Sequence, residues 1–385
     1  MDVSADIVID LLLGGSLVGI LYLIAAVGAV RAFRVRGPRA PSSPHAPPVT
    51  ILKPVCGDEP GLYENLRSFC EQDYPTVQVV FGARHSGDSA LPVVRRLMRD
   101  LPDADLSVVV AGGTRGANQK VGNLANMMSV VRHDVLVIAD SDMRVRPDYL
   151  TAVVSPLGDP RVGLVTCLYV GRPVRGLWAA LGAMSINYGF VPLVLVGRLI
   201  GAMEGCFGAT IVLRREVLDR IGGFAPFSNQ LADDFALGEA VRALGWRAEL
   251  SRYVVDNLVS ESEFRQLLQH ELRWARTIRA ITPFGYACSV ITLPLGLSLL
   301  AVALSWGSAE AVTVFLIAYI CRLILVRVIE RTFGLDAESS WWVPVRDLLS
   351  LVVFAVSFCG KKVVWRDREL RTGSDGRLFA GRSSR

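Results

Sequence analysis

The sequence contains a run of twenty consecutive uncharged residues near its N-terminus, from Leu11 to Val30. A helix of this length can cross a bilayer, because each residue adds about 1.5 Å to a core roughly 30 Å thick. A cleaved signal peptide is the alternative, but the run is long for one and its arginines follow it instead of preceding it. We expect a retained anchor, with the N-terminus outside and residue 31 onward on the cytoplasmic side.

The composition indicates a globular domain joined to membrane segments. The chain is 51% hydrophobic and 20% charged, with a mean hydropathy of +0.40. Its net charge of +5 is concentrated in residues 361–385, which contain eight Lys or Arg and three Asp or Glu. Basic clusters beside apolar runs suit the anionic face of a bilayer, and no nucleic-acid-binding motif accompanies them. We therefore expect a membrane partner and no nucleic acid.

Seven cysteines are present, and none forms a C-x-x-C pair or lies near clustered histidines. This pattern predicts small buried side chains in a reducing compartment, without a zinc site or a disulfide framework.

The patterns along the chain predict five regions. These are an anchor with a basic flank (1–36), a Pro-rich linker (37–48), a cytosolic globular domain (49–280), membrane segments (281–360) and a basic tail (361–385). In the globular domain, short apolar strands such as "VTILKPV", "VQVVFGA", "LSVVVAG" and "DVLVIAD" are separated by helix-like segments. Such alternation is typical of an α/β domain with a mainly parallel sheet covered on both faces.

The apolar segments near the C-terminus leave the membrane topology open. Residues 281–308 are uncharged and predict a second clear membrane segment. The two later segments are less clear, because residues 311–326 include Arg322 and residues 348–360 form a run of only thirteen residues. If every segment spanned, the basic tail would lie outside, so one segment is expected to be re-entrant or interfacial. Residues 189–203 are too short to span. They form either a core helix or an interfacial helix at an acceptor opening, with Trp178 and Tyr188 at the level of the lipid headgroups.

Asp140 and Asp142 follow the apolar stretch "VLVIA", where a strand of the sheet ends. Ligands of open parallel sheets bind beyond such strand ends. Two carboxylates one residue apart repel each other, and a hard cation such as Mg²⁺ or Mn²⁺ would neutralise them while substrate phosphates complete its coordination. The alternative is a solvated acidic turn.

A second acidic pair, Asp233 and Asp234, begins the amphipathic stretch "DDFALGEAVRAL". Carboxylates stabilise a first helical turn, which is the simpler interpretation. The functional interpretation is that one of them is a general base that takes a proton from an incoming hydroxyl.

The stretch "HELRWARTIRA" lies just before residues 281–308 and carries Arg273, Arg276 and Arg279 at a spacing of three. The arginines form either a basic collar at the membrane interface or, for Arg273, a partner for a leaving diphosphate beside Trp274.

Six motifs in this order resemble the ceramide glucosyltransferase family, across roughly residues 49–280. They are "ILKPVCGDEPGLYENLRSF", "NQKVGNL", "ADSDMRV", "GCFGATIVLRREVLDRIGGF", "LADDFALGEAVRALGWR" and "HELRW". Members are membrane-bound inverting glycosyltransferases of the GT-A fold that use a UDP-sugar. The wording is most similar to the bacterial hopanoid-associated branch, which implies N-acetylglucosamine as the sugar and a hopanoid polyol as the lipid acceptor. Glucose as the sugar and ceramide as the acceptor stay open as alternatives.

The resemblance implies a role for each acidic residue. Asp140 and Asp142 would hold a divalent metal, Mg²⁺ or Mn²⁺, under the diphosphate of the UDP-sugar. Asp234 would be the general base, and Asp233 its neighbour.

The resemblance also implies donor and acceptor contacts. Lys120 would bind nucleotide or phosphate, and Lys53 would lie on the nucleotide-binding strand. His270, Arg273 and Trp274 would form the Q/R-x-x-R-W motif near the diphosphate and acceptor. These roles place the catalytic site on the cytoplasmic side of a multi-pass membrane protein of the bacterial inner membrane.

The chain departs from the family pattern at two positions. His85 stands where an aspartate that reads the uridine is expected, so either His85 or the nearby Asp88 would contact the base. His270 takes the first position of Q/R-x-x-R-W, and its charge depends on pH.

Two other functions are compatible with parts of this pattern. A processive polysaccharide synthase of the cellulose or hyaluronan type would share the core, but it usually carries Q-x-x-R-W and more membrane helices. A non-catalytic membrane adaptor would have no use for the acidic residues or for Arg273, whose charges are costly when unpaired.

Overall fold

The computed structural model describes residues 3–35, 46–113, 116–336, 341–360, 362–365, 368–372 and 378–380. The chain divides into two compact units, each assembled from separate segments. One contains Met1–Val35, Arg175–Met203 and Glu261–Asp375, and the other contains Arg36–Val174, Glu204–Ser260 and Gly376–Arg385. We call them the helical unit and the α/β unit. Residues 175–203, which lie inside the predicted 49–280 domain, belong to the helical unit.

The α-helices of the described residues are α1 (Val3–Val35), α2 (Leu62–Cys70), α3 (Ala90–Asp100), α4 (Gln119–Met127), α5 (Tyr149–Val154), α6 (Leu177–Ser185), α7 (Val191–Leu199), α8 (Arg215–Arg220), α9 (Asp233–Ala243), α10 (Phe264–Ile281), α11 (Pro283–Cys288), α12 (Pro294–Leu304), α13 (Ala309–Phe333) and α14 (Trp342–Ser357). The strands are β1 (Val49–Pro54), β2 (Val77–Ala83), β3 (Asp105–Val110), β4 (Val135–Ile138), β5 (Met143–Arg144), β6 (Val162–Pro173), β7 (Ile211–Arg214), β8 (Arg247–Val259), β9 (Lys362–Trp365), β10 (Arg368–Thr372) and β11 (Leu378–Ala380).

The α/β unit is built on one eight-stranded sheet in the order β3-β2-β1-β4-β7-β6-β8-β5. The pairs β1–β2, β1–β4, β2–β3 and β6–β8 are parallel, while β7 is antiparallel to both of its neighbours and β5 to β8. The predicted mainly parallel sheet is therefore confirmed, with antiparallel pairs at its centre and at one edge.

Helices cover both faces of this sheet, as its continuous apolar strands require. Successive residues of β1 point to opposite faces, so Ile51 packs in a core with α2, α3 and α5, and Leu52 packs in a second core with α4, α8 and α9. Both residues are fully buried. A sheet buried on both faces exposes polar groups mainly at its strand ends, and that is where the acidic residues lie.

Among its described residues, the helical unit contains three helices that are long and apolar enough to cross a membrane, judged by length and composition. They are Ala5–Phe33 in α1, Leu177–Leu199 formed by α6 and α7 through a π-helical turn at Ile186–Phe190, and Ala309–Phe333, which is α13. Residues 281–308 form no straight span. Pro283–Thr292 and Pro294–Leu304 meet at 68°, and the second helix starts at a proline, which cannot continue a preceding helix.

Two predictions about residues 177–203 are wrong. The helix that contains residues 189–199 starts at Leu177 and is 23 residues long, because the preceding stretch "LWAALGAMSINY" is also free of charge. Tyr188 does not lie on the outside of the unit. It is 1% exposed and its hydroxyl donates to Glu330 Oε1 at 2.8 Å.

Candidate active site

Asp140 and Asp142 lie just beyond β4 and are held by different neighbours. Asp140 Oδ1 is 2.7 Å from Lys120 Nζ, which projects from the first turn of α4. Asp142 Oδ2 accepts a hydrogen bond from Asn257 Nδ2 at 2.9 Å, and its carbonyl accepts one from the backbone N–H of Leu258 at 2.9 Å. The start of α4 fixes the first carboxylate and the end of β8 fixes the second.

The predicted repulsion between the two carboxylates is visible in the pKa of Asp142. Burial raises this pKa, and the charge of Asp140 raises it further, while Asn257 and Lys53 act in the opposite direction. The pair therefore resists full ionisation, and added positive charge would stabilise its ionised form.

Asp233 and Asp234 form the first turn of α9 and are held from two other segments. Asp234 accepts hydrogen bonds from the backbone N–H of Gly208 to Oδ2 and of Phe235 to Oδ1, each at 2.8 Å. Asp233 Oδ1 accepts from Asn118 Nδ2 at 3.1 Å. Burial and the charge of Asp233 raise the pKa of Asp234 to about 6, against the opposing charge of Lys120. Asp234 is thus ionised at neutral pH and basic enough to take a proton.

Gly208 brings the two acidic pairs into one site. A Cβ placed on Gly208 would lie 3.3 Å from Asp140 Oδ2, 3.4 Å from Asp234 Oδ2 and 3.4 Å from Lys120 Nζ. Asp140 and Asp234 are far apart in the sequence, yet both approach the same small space beside the backbone of Gly208.

Lys120 is the cation at the centre of these carboxylates. Its ammonium lies 2.7 Å from Asp140 and 3.6 Å from Asp233. Burial lowers the pKa of Lys120, but the charges of Asp140 and Asp233 outweigh burial, so the net pKa is raised. Lys120 therefore stays protonated and offsets part of the negative charge.

Lys53 supports this site from behind. Its side chain is fully buried, its ammonium donates to the carbonyl oxygen of Asp140, and it lies 3.7 Å from the ring centroid of Phe69. Burial lowers its pKa to about 7, although Asp140 and Asp142 oppose the shift. The enclosed ammonium holds the backbone of Asp140.

His85 and Asp88 follow β2 and differ in their surroundings. Asp88 is 4% exposed, and its Oδ1 accepts hydrogen bonds from the backbone N–H groups of Gly57 at 2.8 Å and Ala90 at 3.0 Å. It ties the loop after β1 to the start of α3. His85 is exposed. Of the two candidates for a contact with the base, His85 is the more accessible.

His270, Arg273 and Trp274 lie on α10 in the helical unit. His270 Nδ1 is 2.5 Å from Glu261 Oε1, and the rings of His270 and Trp274 meet edge to face with centroids 4.7 Å apart. Burial raises the pKa of Glu261, but the hydrogen bond and charge of His270 outweigh burial and leave the pKa below its ordinary value. Glu261 therefore orients His270 within the motif.

Two further arginines of this helix, Arg276 and Arg279, fit the collar interpretation. Arg276 donates to the carbonyl oxygen of Cys359 and Arg279 to that of Gly360, each at 3.0 Å. Both carbonyls follow the C-terminal end of α14, where a positive charge is favourable.

Several residues of the site escaped the sequence analysis. Asn118 is the N-cap of α4 and accepts from the backbone N–H of Val121 at 3.1 Å, so its capping role was readable from the sequence even though its contact with Asp233 was not. Nothing in the sequence indicated Asn257, Gly208 or Glu261. Asn257 and Glu261 act through contacts with residues elsewhere in the sequence, and Gly208 acts through its backbone.

The donor set fits a divalent cation that arrives with a phosphate ligand. Among the described residues no group of three or more His, Cys, Asp or Glu side chains could hold a metal ion. Asp140 and Asp142 each have one oxygen engaged, by Lys120 and Asn257 respectively. Mg²⁺ is commonly held by one or two carboxylates, with the remaining positions filled by substrate phosphates and water. The pair therefore suits a metal that a substrate phosphate helps to hold.

The chain belongs to Glycosyl transferase family 21, whose model matches residues 11–378. With the sheet and the apolar helices described above, this membership confirms the GT-A fold class and the family predicted from the sequence.

Curated relatives carry the name ceramide glucosyltransferase. Ceramide glucosyltransferase 1 of Caenorhabditis elegans is 26% identical over 237 residues, which cover 61% of this chain and 51% of the relative. The enzyme of Komagataella phaffii is 31% identical over 113 residues, covering 28% of this chain and 22% of the relative. The chain spans about half the length of the first of these.

Two solved structures are similar to this chain over most of its length. The mannosyltransferase PcManGT from Pyrobaculum calidifontis, in complex with GDP-Man and Mn²⁺, has a TM-score of 0.48 and 23% identity, covering 89% of this chain and 98% of its own. S. aureus TarS 1-349 in complex with UDP-GlcNAc has a TM-score of 0.41 and 14% identity, covering 87% of this chain and 99% of its own.

Proposed function

We propose that the chain is a membrane-bound inverting glycosyltransferase that moves a sugar from a UDP-sugar to a hydroxyl of a membrane lipid. The observation that carries this proposal is the convergence of Asp140, Lys120 and Asp234 on Gly208, beyond the carboxyl end of β4. The site combines an ionisable base with a carboxylate pair suited to a substrate-linked cation, which are the two components that a single displacement on a nucleotide sugar needs.

Asp234 acts as the general base. The acceptor oxygen bonds to the anomeric carbon as the bond from that carbon to the diphosphate oxygen breaks, and the hydroxyl proton passes to Asp234. Gly208 and Phe235 hold the carboxylate through their backbone N–H groups, so that it needs no reorientation during the reaction. Asp233, held by Asn118, stays beside the base and keeps its pKa high.

Negative charge develops on the diphosphate as it leaves. Asp140 and Asp142 would hold Mg²⁺ or Mn²⁺, which supplies positive charge to the diphosphate when bound. Lys120 is positioned to contact a phosphate, since its ammonium borders the same space. In the helical unit, Arg273 and Trp274 serve the diphosphate and the acceptor, with His270 oriented by Glu261.

Two donor-site residues act in different ways. Lys53 acts through the backbone of Asp140 and touches no donor atom, because its ammonium is enclosed. His85 contacts the uracil base, while Asp88 shapes the loop beneath it.

The acceptor is a ceramide or a hopanoid polyol, and the sugar is glucose or N-acetylglucosamine. The names of the curated relatives support a ceramide acceptor and glucose. The reaction takes place at the cytoplasmic face of the membrane, catalysed within residues 49–280, because the donor is water-soluble and the acceptor is a lipid.

The test is Asp234→Asn in the full chain reconstituted in lipid nanodiscs. Transfer from labelled UDP-glucose and UDP-N-acetylglucosamine to ceramide and to a hopanoid polyol should fall by about 100- to 10,000-fold, since the variant lacks a base. UDP binding should persist. Asp103→Asn is the matched control, because Asp103 is exposed on a loop away from the site.

Normal turnover by Asp234→Asn would show that Asp234 is not the general base. Chain elongation of the labelled product would instead identify a processive synthase, and absence of both transfer and donor hydrolysis in the unaltered protein would identify a non-catalytic adaptor.

A further inference from the structure

Helix α10 carries a carboxylate within its buried face. Leu267 and Ala275 are 1% and 7% exposed, and Glu271 lies midway between them in the sequence, with its side chain 10% exposed. Residues spaced by four share one face of an α-helix, so Glu271 occupies a position where an apolar side chain would pack without losing hydration. A charge buried in this way needs a partner, because its desolvation is costly.

The partner of Glu271 is Arg346 of α14, which is 2% exposed. Its guanidinium binds both carboxylate oxygens of Glu271, at 2.5 and 2.7 Å. It also donates to the carbonyl oxygen of Leu181 on α6 at 3.2 Å and to Ser350 Oγ at 3.1 and 3.3 Å. All five N–H donors of the guanidinium therefore have acceptors, and one side chain connects α14 to both α10 and α6.

This ion pair restricts the position of α10 more closely than the apolar contacts beside it do. The apolar contacts between α10 and α14 are made in one cluster by Leu268, Leu272, Ala275, Leu349 and Val353. Apolar attraction is non-directional, so it tolerates small slides and rotations of a helix. A bidentate pair between a planar guanidinium and a carboxylate is directional and tolerates them poorly. The pair therefore sets the rotation and register of α10 against α14.

The same helix carries His270, Arg273 and Trp274 on an adjoining face. Residues at these spacings lie next to one another on a helix surface, and the rings of His270 and Trp274 are in contact. His270 directly precedes Glu271, so a rotation of α10 that breaks the ion pair would move all three side chains. The position of this motif within the helical unit therefore depends on the pair.

A buried ion pair also has a purely structural explanation, but the energy of such a pair does not favour it. Two apolar side chains of similar volume are often as stable as a buried ion pair, or more so. The helical unit offers a comparison, because Arg322 and Asp347 form a second buried pair between α13 and α14 at 2.6 Å. Among the described residues, Arg322 Nε and Asp347 Oδ2 have no hydrogen-bond partner. The pair on the motif-bearing helix is the more completely bonded of the two.

We propose that Arg346 is a positioning residue for the transfer reaction, which acts through Glu271 to hold Arg273 in place on α10. This inference rests on the proposed function, which assigns Arg273 to the leaving diphosphate. Arg346 is enclosed by its protein partners, so its effect on the reaction passes entirely through the helix that it holds. A misplacement of about 1 Å at a reacting group can cost about 100-fold in rate, so a small rotation of α10 is sufficient to impair transfer.

The experiment replaces the ion pair as a whole, because removal of one partner would leave a buried charge and destabilise the fold. The test variant is Arg346→Met with Glu271→Leu, in the full chain reconstituted in lipid nanodiscs. The control is Arg322→Met with Asp347→Leu, which makes the same kind of change between α13 and α14 and leaves the contact of Arg346 with Glu271 in place. A further variant, Arg346→Lys, keeps the charge balance but cannot form the bidentate pair.

We expect the test variant to unfold at a temperature close to that of the unaltered protein, because the apolar pair keeps the helices packed. Its kcat, per mole of UDP-binding protein, should fall by about 10- to 100-fold, while the control keeps the kcat of the unaltered protein. Arg346→Lys should also lower kcat, and it tests the inference if the apolar pair does not fold. Full kcat in the folded test variant or in Arg346→Lys would overturn the inference and leave a packing role for the pair.

A double-mutant cycle tests whether the loss passes through Arg273. Arg273→Met removes the side chain that is being positioned, so adding Arg346→Met and Glu271→Leu to it should lower kcat by less than a further twofold. Losses that multiply in full would show that the ion pair acts on the reaction by another route and would overturn the assignment.

The two proposals fail in different ways. If the unaltered protein transfers sugar to a lipid and the test variant does so equally fast, the proposed function stands and the positioning role of Arg346 falls. If the unaltered protein transfers no sugar, the proposed function falls and the positioning role falls with it.

Discussion

The ionisation of Asp234 sets the lowest pH at which the proposed reaction can run at full rate. Its pKa is raised to about 6, first by burial and then by the charge of Asp233. A carboxylic acid is protonated below its pKa, so the base is lost as the pH falls through about 6 and is fully present above it. We expect kcat/KM, which reports the ionisation of the free enzyme, to fall tenfold per pH unit on the acidic side of this value.

Replacing Lys120 should shift the acidic side of the pH–rate profile in a known direction. The charge of Lys120 lowers the pKa of Asp234. In Lys120→Met this pKa should rise, and the loss of activity on the acidic side of the profile should therefore begin at a higher pH. Lys120→Arg keeps the charge and should leave the acidic side of the profile near its original pH. A normalised pH–rate profile of Lys120→Met that coincides with that of the unaltered protein would show that the base is another residue.

The absence of a side chain at position 208 is a second residue-level requirement. A methyl group there would lie 3.3 Å from Asp140 Oδ2, which would have to shift by a few tenths of an ångström, and it would also touch Asp234 and Lys120 at 3.4 Å. A misplacement of about 1 Å can cost about 100-fold in rate, and we expect Gly208→Ala to lower kcat/KM by roughly tenfold.

Gly158→Ala is the control for this change, since nothing lies within 4 Å of its added methyl group. Equal kcat/KM values for the two alanine variants would mean that the space beside Gly208 is not used.

At this scale the sequence singled out acidic residues that the fold brings together beside Gly208, but not how they are held. Asp140 and Asp234 stood out because carboxylates at a strand end and a helix start are chemically conspicuous. Asn257 and Gly208 did not, because an amide in a strand and a glycine in a loop have many ordinary explanations. Their importance comes from contacts with Asp142 and Asp234 that only the folded chain creates.

At the scale of elements, α1 depends on a glycine for its close approach to the bent helical pair. A Cβ on Gly19 would lie 2.4 Å from the carbonyl oxygen of Ile291 and 2.7 Å from Pro294 Cβ. Gly19→Ala should therefore force the helices apart and lower the free energy of unfolding by about 1–3 kcal/mol.

The matched change on the same helix is Gly28→Ala, whose methyl group meets nothing within 4 Å. It should leave the stability unchanged or raise it slightly, since alanine favours a helix more than glycine does. Thermal unfolding in detergent would show the difference. A Gly19→Ala midpoint as high as that of Gly28→Ala would contradict the packing described for α1.

Element boundaries in apolar segments were predicted less well than element types. An uncharged run shows that a helix can be buried or span, but hydropathy alone does not show where it bends or starts. Pro294 supplied a visible reason for the break within residues 281–308, whereas the start of the α6–α7 helix at Leu177 was hidden by small residues that suit helix and loop alike.

At the scale of the whole molecule, the connectivity restricts how the α6–α7 helix can meet a membrane. Strands β4 and β6 precede this helix and β7 and β8 follow it, yet all four belong to one sheet. A sheet cannot lie on both sides of a bilayer. Although Leu177–Leu199 is long enough to cross, its two ends must therefore emerge on the same side. The sequence alone could not reveal this constraint, because it depends on strand pairs that form across the inserted helix.

This constraint predicts the result of a sidedness experiment. Arg175→Cys and Ala202→Cys, each in a background with the exposed Cys288 and Cys359 replaced by serine, place one thiol at either end of the helix. A membrane-impermeant maleimide should label both thiols in inside-out vesicles and neither in right-side-out vesicles, because the α/β unit is predicted to be cytoplasmic. Labelling of the two positions from opposite faces would be incompatible with the single sheet.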